Sequence, residues 1–137
     1  MAISIEKFSP TDTDRCIEIR IQNYQEINNT PEKIAWVKDY FLASLKNRNY
    51  FVAKDWTIVV GMWAYKNNHI YSVFVDPKYQ GQWIWKQLMQ ILETEIKKYK
   101  HTEVVLNSSV YWKSFYEHLW FHVERIQEDD LVMKKNI

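Results

Sequence analysis

The chain has 137 residues, 47% of them hydrophobic and 26% charged, which fits one soluble globular domain with a single core. Its formal net charge of +1 argues against a nucleic-acid partner, because phosphate binding needs clustered positive charge. No apolar run approaches the roughly 18 residues of a membrane helix, and the N-terminus lacks the apolar core of a signal peptide. The single cysteine, Cys16, excludes an internal disulfide, so a cytoplasmic protein without a membrane partner is expected.

A strand and two helices are predicted first. Apolar and polar residues alternate over Ala2–Phe8, which is typical of a strand. Helical spacing of apolar residues predicts a first helix from about Asp12 to Ile27. Thr30 and Pro31 fit the N-cap and the first position of a second helix. The predicted buried stripe of that helix is Ile34, Val37, Phe41 and Leu45.

Three antiparallel strands are predicted next, at Tyr50–Lys54, Thr57–Lys66 and His69–Asp76. The gaps between them, Asp55–Trp56 and Asn67–Asn68, have the two-residue length of tight hairpin turns.

The pattern in the rest of the sequence predicts two helices and three strands after a polar loop at Lys78–Gln82. The helices are Ile84–Tyr99 and Val110–Leu119, and the strands are Glu103–Asn107, His122–Gln127 and Leu131–Lys135. The first of these strands could lie parallel to His69–Asp76, because a helix connects the two. The fold class is therefore α+β: a mixed, mostly antiparallel sheet of about seven strands flanked by about four helices, in one domain over residues 1–137.

The segment Val73–Met89, VFVDPKYQGQWIWKQLM, carries the clearest motif. A helix that follows a glycine-containing loop can bind a pyrophosphate, because its first N–H groups are unpaired and its dipole favours an anion. The segment resembles the acetyl-CoA motif of the GNAT superfamily, in which Val, an acidic residue and Pro precede Gln/Arg-Gly-x-Gly-x-Gly/Ala and a helix. The resemblance implies the GNAT fold, with acetyl-CoA as cosubstrate and no metal.

A second resemblance lies in Val110–Phe121, VYWKSFYEHLWF. The family commonly has Ala/Gly-x-x-Phe-Tyr-x-x-x-Gly-Phe here, and Phe115, Tyr116 and Phe121 match. The matching stretches span about half of the chain, and the element order covers nearly all of it.

Tryptophan stands where the family pattern or a tight turn favours glycine or another small residue. The six positions are Trp56, Trp63, Trp83, Trp85, Trp112 and Trp120. The chain has 7 tryptophans and 2 glycines, whereas an average glycine usage of roughly 7% would give about nine or ten. One hypothesis is that most of the six are glycine in the functional protein, encoded by UGA, which some bacterial codes read as glycine and others as tryptophan. Deliberate substitution and a natural protein that tolerates tryptophan are alternatives.

The resemblance also implies roles for individual residues. The backbone of Val73, Phe74 and Val75 would pair with the pantetheine arm and polarise the thioester carbonyl. Tyr116 aligns with the tyrosine that protonates the departing sulfur. Further acetyl-CoA contacts are expected at Gln80, Gly81, Gln82, Trp83, Ile84, Trp85, Lys86 and Asn107. A helix-capping role for Asn107, and exposure to solvent for Gln80, Gln82 and Lys86, are alternatives that the sequence leaves open.

The functional hypothesis is an N-acetyltransferase in which a primary amine attacks the thioester directly. The general base is not evident, because His69, Tyr71 and Asp76 all fit structural roles. The acceptor would bind between the two N-terminal helices and the loop joining the last two strands, and a small molecule, a peptide N-terminus and a protein lysine all stay open. The alternative is a catalytically inactive GNAT-fold binding domain, in which Trp83 and Trp85 block the pyrophosphate loop. A homodimer is possible if Leu131–Lys135 forms an exposed sheet edge.

Overall fold

The computed structural model describes residues 3–23, 30–80 and 84–137, with Ser72 described by its backbone only. These ranges contain seven strands and four α-helices. The strands are β1 (Ile3–Lys7), β2 (Asn49–Asp55), β3 (Ile58–Lys66), β4 (His69–Val75), β5 (Glu103–Ser108), β6 (His122–Gln127) and β7 (Asp130–Asn136). The α-helices are α1 (Thr13–Asn23), α2 (Pro31–Ser44), α3 (Ile84–Lys98) and α4 (Lys113–His118), and three-residue 3₁₀ turns lie at Pro10–Asp12, Pro77–Tyr79 and Val110–Trp112.

The strands hydrogen-bond in the order β1-β2-β3-β4-β5-β7-β6. β4 is parallel to β5, while β1 and β2, β5 and β7, and β6 and β7 are antiparallel pairs. This is the predicted mixed, mostly antiparallel sheet of the α+β fold. The chain forms two compact units, Met1–Ala64 with Ser72–Leu88, and Tyr65–Tyr71 with Met89–Ile137.

The core of the first unit forms around β3, where every residue from Val59 to Ala64 is buried. The α2 helix adds Val37 and Phe41, and the Phe41 ring meets Tyr50 edge-on at 5.3 Å. Complete burial of such a side chain stabilises the fold by roughly 1.5–3 kcal/mol.

The predicted stripe of α2 is only partly correct. Ile34 is 37% exposed and Leu45 is half-buried, whereas Ser44 is buried in its place. Ser44 can enter the core because its hydroxyl bonds to the Phe41 carbonyl at 2.7 Å and to the Tyr50 hydroxyl at 2.6 Å. A paired hydroxyl loses little on burial.

The second unit places β7 between β5 and β6. Six residue pairs join β5 to β7, from Glu103 opposite Asn136 to Ser108 opposite Leu131. The prediction that Leu131–Lys135 forms an exposed edge is therefore wrong, because β7 is paired on both sides and β6 is the outer strand. The composition explains this order: Leu131, Val132 and Met133 are buried, whereas five of the six residues of β6 are exposed.

Two helices differ from their predicted bounds. The described part of the first helix ends at Asn23. The rest of the predicted range, residues 24–27, lies outside the described residues. The predicted helix Val110–Leu119 is a 3₁₀ turn followed by α4. The change from turn to α-helix falls at Trp112, the last residue of the 3₁₀ turn, because its ψ of 3° departs from the α-helical value.

Candidate active site

The end of β4 is fixed by Asp76, a buried residue. Its Oδ1 accepts a hydrogen bond from the Lys78 amide at 2.9 Å, which caps the turn at Pro77. Its own amide donates to the Val60 carbonyl at 2.8 Å, and its other carboxylate oxygen pairs with Arg15. Arg15 in turn donates through Nε to the Val59 carbonyl at 3.0 Å. Asp76 is thus a capping residue, as expected, and holds the β3–β4 pair to α1.

The carbonyl of Val75 is occupied by two side-chain amides. Asn23 Nδ2 donates to it at 3.0 Å, and Gln80 Nε2 donates to it at 3.4 Å. Gln80 Nε2 also donates to Asn23 Oδ1 at 3.1 Å. The Gln80 side chain therefore lies against the end of β4, although the residue is exposed to solvent. No sequence pattern points to Asn23, which reaches the Val75 carbonyl because α1 ends beside β4.

Successive residues of a regular strand present their backbone groups to alternate sides. The Val105 amide donates to the Asn68 carbonyl, so the backbone groups of His69 face β3, and the Asp76 amide faces β3 seven residues later. Because this spacing is odd, the register of β4 shifts by one residue between His69 and Asp76, a stretch that includes the predicted pantetheine segment.

Arg20 is a buried cation beside β4, and no pattern in the sequence predicted its position. It is only 2% exposed, and its guanidinium carbon lies 4.7 Å from the Phe74 ring centre. The Tyr40 and Phe41 rings follow at 5.5 and 5.6 Å. Its Nε and Nη1 atoms have no hydrogen-bond partner among the described residues. Among the described residues, the guanidinium group of Arg20 therefore interacts with these three aromatic rings through cation–π contacts.

The loop predicted to hold the pyrophosphate is described only from its helical side. Gly81, Gln82 and Trp83 lie outside the described residues. Ile84 is fully buried, Trp85 is half-buried and Lys86 is exposed, and these three residues form the first turn of α3. The first turn of a helix presents amide groups without helical partners.

Tyr116 lies on α4 in the second unit and is half-buried. Its ring is edge-on to Phe115 at 5.2 Å and to Phe121 at 5.9 Å. Burial raises the pKa of the Tyr116 phenol to about 12. The phenol therefore keeps its proton throughout the neutral range.

Asn107 is exposed on β5, also in the second unit. Its Oδ1 lies 3.4 Å from His69 Nε2, and the His69 ring stacks on Tyr71 at 4.2 Å. The helix-capping alternative for Asn107 is wrong, because Ser109 occupies the N-cap position of the following turn. A contact between Asn107 and pantetheine stays a prediction.

The described ranges hold no group of three His, Cys, Asp or Glu side chains that could bind a metal ion. Cys16 is fully buried, and burial raises the pKa of its thiol to about 12. No helix in the described part of the chain is long and apolar enough to cross a membrane.

Residues 22–132 match the family model of the acetyltransferase (GNAT) domain. The chain belongs to the GNAT acetyltransferase family. Its domain is of the GNAT N-acetyltransferase type, an enzyme family, and the resemblance found in its two motifs is confirmed. No curated protein matches this GNAT chain in sequence.

Several solved structures share the GNAT fold over nearly the whole chain. The PaiA N-acetyltransferase of Thermoplasma acidophilum, in complex with coenzyme A, is 22% identical with a TM-score of 0.83, and each chain is covered to 100%. PH1933 from Pyrococcus horikoshii is 20% identical with a TM-score of 0.88 and 99% coverage of both chains. The ribosomal-protein-S18-alanine N-acetyltransferase of Escherichia coli is 16% identical with a TM-score of 0.78, covering 99% of this chain and 94% of that one.

Proposed function

We propose that this protein transfers the acetyl group of acetyl-CoA to a primary amine of a small molecule or peptide. The neutral amine attacks the thioester carbonyl and a carbon–nitrogen bond forms. The carbon–sulfur bond breaks, coenzyme A leaves as a thiolate that is then protonated, and the nitrogen releases one proton to water. The match to the GNAT domain over residues 22–132 carries the proposal. The coenzyme A complex of the similar PaiA structure supports the choice of cosubstrate.

Val73 and Val75 are proposed to bind the pantetheine arm through their backbone groups. The Val75 carbonyl is already paired with Asn23 and Gln80, so other backbone groups of this segment are the better partners. The pyrophosphate would bind the loop from Gln80 to Trp83 and the first turn of α3, where Lys86 is exposed.

Tyr116 is proposed to donate a hydrogen bond, and finally a proton, to the departing sulfur. Its pKa of about 12 keeps the donor protonated. A thiol has a pKa of about 8.5, so complete transfer to a free thiolate is uphill by roughly three pKa units. The main effect would therefore be a hydrogen bond that strengthens as negative charge develops on sulfur.

An inactive binding domain is the second candidate, favoured by the tryptophans at the cofactor loop. Trp85 is half-buried in the first turn of α3, where the family pattern has a small residue. An indole there would crowd a phosphate bound to the same turn.

Calorimetric titration with acetyl-CoA separates these candidates. The double variant Trp83→Gly/Trp85→Gly should bind acetyl-CoA at least tenfold more tightly than the parent chain and acetylate a panel of primary amines. Trp36→Gly is the control, because Trp36 lies on α2 and its loss should leave affinity unchanged. A folded double variant that binds no acetyl-CoA would contradict the proposed acetyltransferase activity. Binding of acetyl-CoA without turnover would support the inactive binding domain.

Tyr116→Phe tests the proposed acid in the double variant. We expect kcat to fall by about 10²- to 10³-fold, the usual cost of removing one hydrogen-bond donor to developing negative charge, with KM for acetyl-CoA little changed. Tyr111→Phe is the matched control, because Tyr111 is strongly exposed in the same segment. An unchanged kcat for Tyr116→Phe would remove Tyr116 from the mechanism.

A further inference from the structure

Five non-glycine residues in the described ranges have positive φ, and two of them are tryptophans. Three of the five are the first residues of the two-residue turns that follow β2, β3 and β6: Trp56, Asn67 and Glu128. The other two follow the C-caps of α3 and α4: Lys100 and Trp120. The left-handed conformation thus occurs in hairpin turns and at helix C-termini, where the chain reverses or leaves a helix.

Trp120 completes a Schellman motif at the end of α4. Its amide donates to the Glu117 carbonyl at 3.0 Å, and the Phe121 amide donates to the Tyr116 carbonyl at 3.1 Å. The Phe121 and Tyr116 rings supply the hydrophobic contact that accompanies this motif. The residue at this position is usually glycine, because its φ, 73° here, brings a Cβ against the backbone. The Trp120 side chain is 80% exposed, so little burial offsets the strain.

Trp56 has the same combination of strain and exposure in a hairpin turn. Its φ is 57° and its side chain is 79% exposed. The equivalent position of the next hairpin is Asn67, with a φ of 55°, and asparagine tolerates this region. Trp56 has positive φ and Thr57, the second residue of the turn, does not. Glycine is the preferred first residue of a two-residue turn of this kind.

The other tryptophans show that positive φ is not a general property of this residue in the chain. Trp36 lies within α2 and stacks on Tyr40 at 5.6 Å. Trp63 is fully buried against Phe51, but its Nε1 has no hydrogen-bond partner in the described part of the chain. A buried indole N–H normally finds an acceptor.

We propose that glycine is the residue that functions at positions 56 and 120, and that the same UGA-encoded replacement explains positions 63, 83, 85 and 112. The family pattern and the glycine deficit concern all six positions, and the backbone angles agree with them at 56 and 120. The chain would then present glycine at 81, 83 and 85, leaving the phosphate loop without indoles. This inference does not depend on the proposed activity, because its tests need no ligand.

The coding sequence and the protein from its source give the first test. UGA codons at all six positions and UGG at 36 are expected. Mass spectrometry of peptides from the native protein should show glycine at the six positions and tryptophan at 36. A UGG codon, or a tryptophan-containing native peptide, at 56 or 120 would overturn the proposal.

Thermal unfolding of single variants gives the second test. Trp56→Gly and Trp120→Gly should each raise Tm by about 3–6 °C, because they remove left-handed strain from an exposed side chain. Lys100→Gly, with the same geometry and no tryptophan, sets the scale of the gain. Trp36→Gly should lower Tm, because glycine weakens a helix interior. A Tm that is unchanged or lower in both Trp56→Gly and Trp120→Gly would contradict the structural basis of the proposal.

Discussion

Arg20 shows how a single buried charge is accommodated in the first unit. Removing an ion from water costs several kcal/mol even after the protein relaxes. The described surroundings of Arg20 offer the faces of Phe74, Tyr40 and Phe41. Each desolvated cation–π contact returns about 2 kcal/mol, so the three together roughly offset the cost of removing the charge from water. Two of its nitrogens have no described partner. The packing of the long side chain against the rings is therefore its larger contribution to stability.

Arg20→Met is expected to leave the free energy of unfolding unchanged or to raise it by about 1–2 kcal/mol, because it keeps the packing and removes the charge. Arg20→Ala should lower it by about 2–4 kcal/mol, because it opens a cavity among the three rings. Urea denaturation followed by circular dichroism measures both. If the two variants were equally destabilised, the charge itself would be required and the packing argument would be wrong.

At the scale of elements, the junction after β4 depends on one ion pair. Arg15 contacts two carboxylates that differ in exposure: Asp76 is 5% exposed and Glu18 is 60% exposed at the side chain. Arg15 therefore forms one ion pair with a buried carboxylate, that of Asp76, and one with an exposed carboxylate, that of Glu18.

Asp76→Asn should lower the free energy of unfolding by about 2–3 kcal/mol, somewhat less than the loss of a fully buried partner because Arg15 is partly exposed. The asparagine can still cap the turn, so the loss reports the ion pair. Glu18→Gln is the control and should cost less than about 0.5 kcal/mol. Equal costs in chemical denaturation would show that Asp76 is screened by solvent despite its burial.

The elements themselves were predictable wherever a local pattern determines them. The Asn67–Asn68 turn, the strand His122–Gln127 and the Asp76 cap before Pro77 were all expected from the sequence, and all are present. The positions of Asn23 and Gln80 were not, because they meet across 57 residues and share no motif. The same limit applies to Arg20, whose three aromatic neighbours come from α2 and β4.

The order of the last two strands could have been inferred from their composition. Either strand of a terminal hairpin can pair with β5, so the chain order alone does not identify the edge. Both strands carry charged residues, but only β7 contains an uninterrupted apolar run, Leu131–Met133. Continuous apolar runs are typical of strands in the interior of a fold. Burial of that run places β7 inside.

At the scale of the whole molecule, alkaline pH should destabilise the fold. The pKa of Cys16 is raised from 9.0 to about 12 and that of Tyr116 from 10.0 to about 12, in both cases mainly by burial. Above pH 9 the unfolded chain loses these protons while the folded chain keeps them. Fewer bound protons in the unfolded state mean that the free energy of unfolding falls as pH rises. The pKa values of Lys54 and Lys134 are raised by carboxylate partners, which acts in the same direction.

The free energy of unfolding should be nearly constant from pH 7 to 8 and then fall from about pH 9, with each fully linked group contributing at most about 1.4 kcal/mol per pH unit. Urea denaturation at half-unit intervals to pH 10.5 measures the slope. Cys16→Ala should be less stable at pH 7 but should lose the part of the decline that begins near pH 9, whereas Tyr116→Phe should lose the part that begins near pH 10. A slope unchanged in Cys16→Ala would mean that the buried thiol ionises in the folded protein, and Cys16 would then react with iodoacetamide at pH 9 without unfolding.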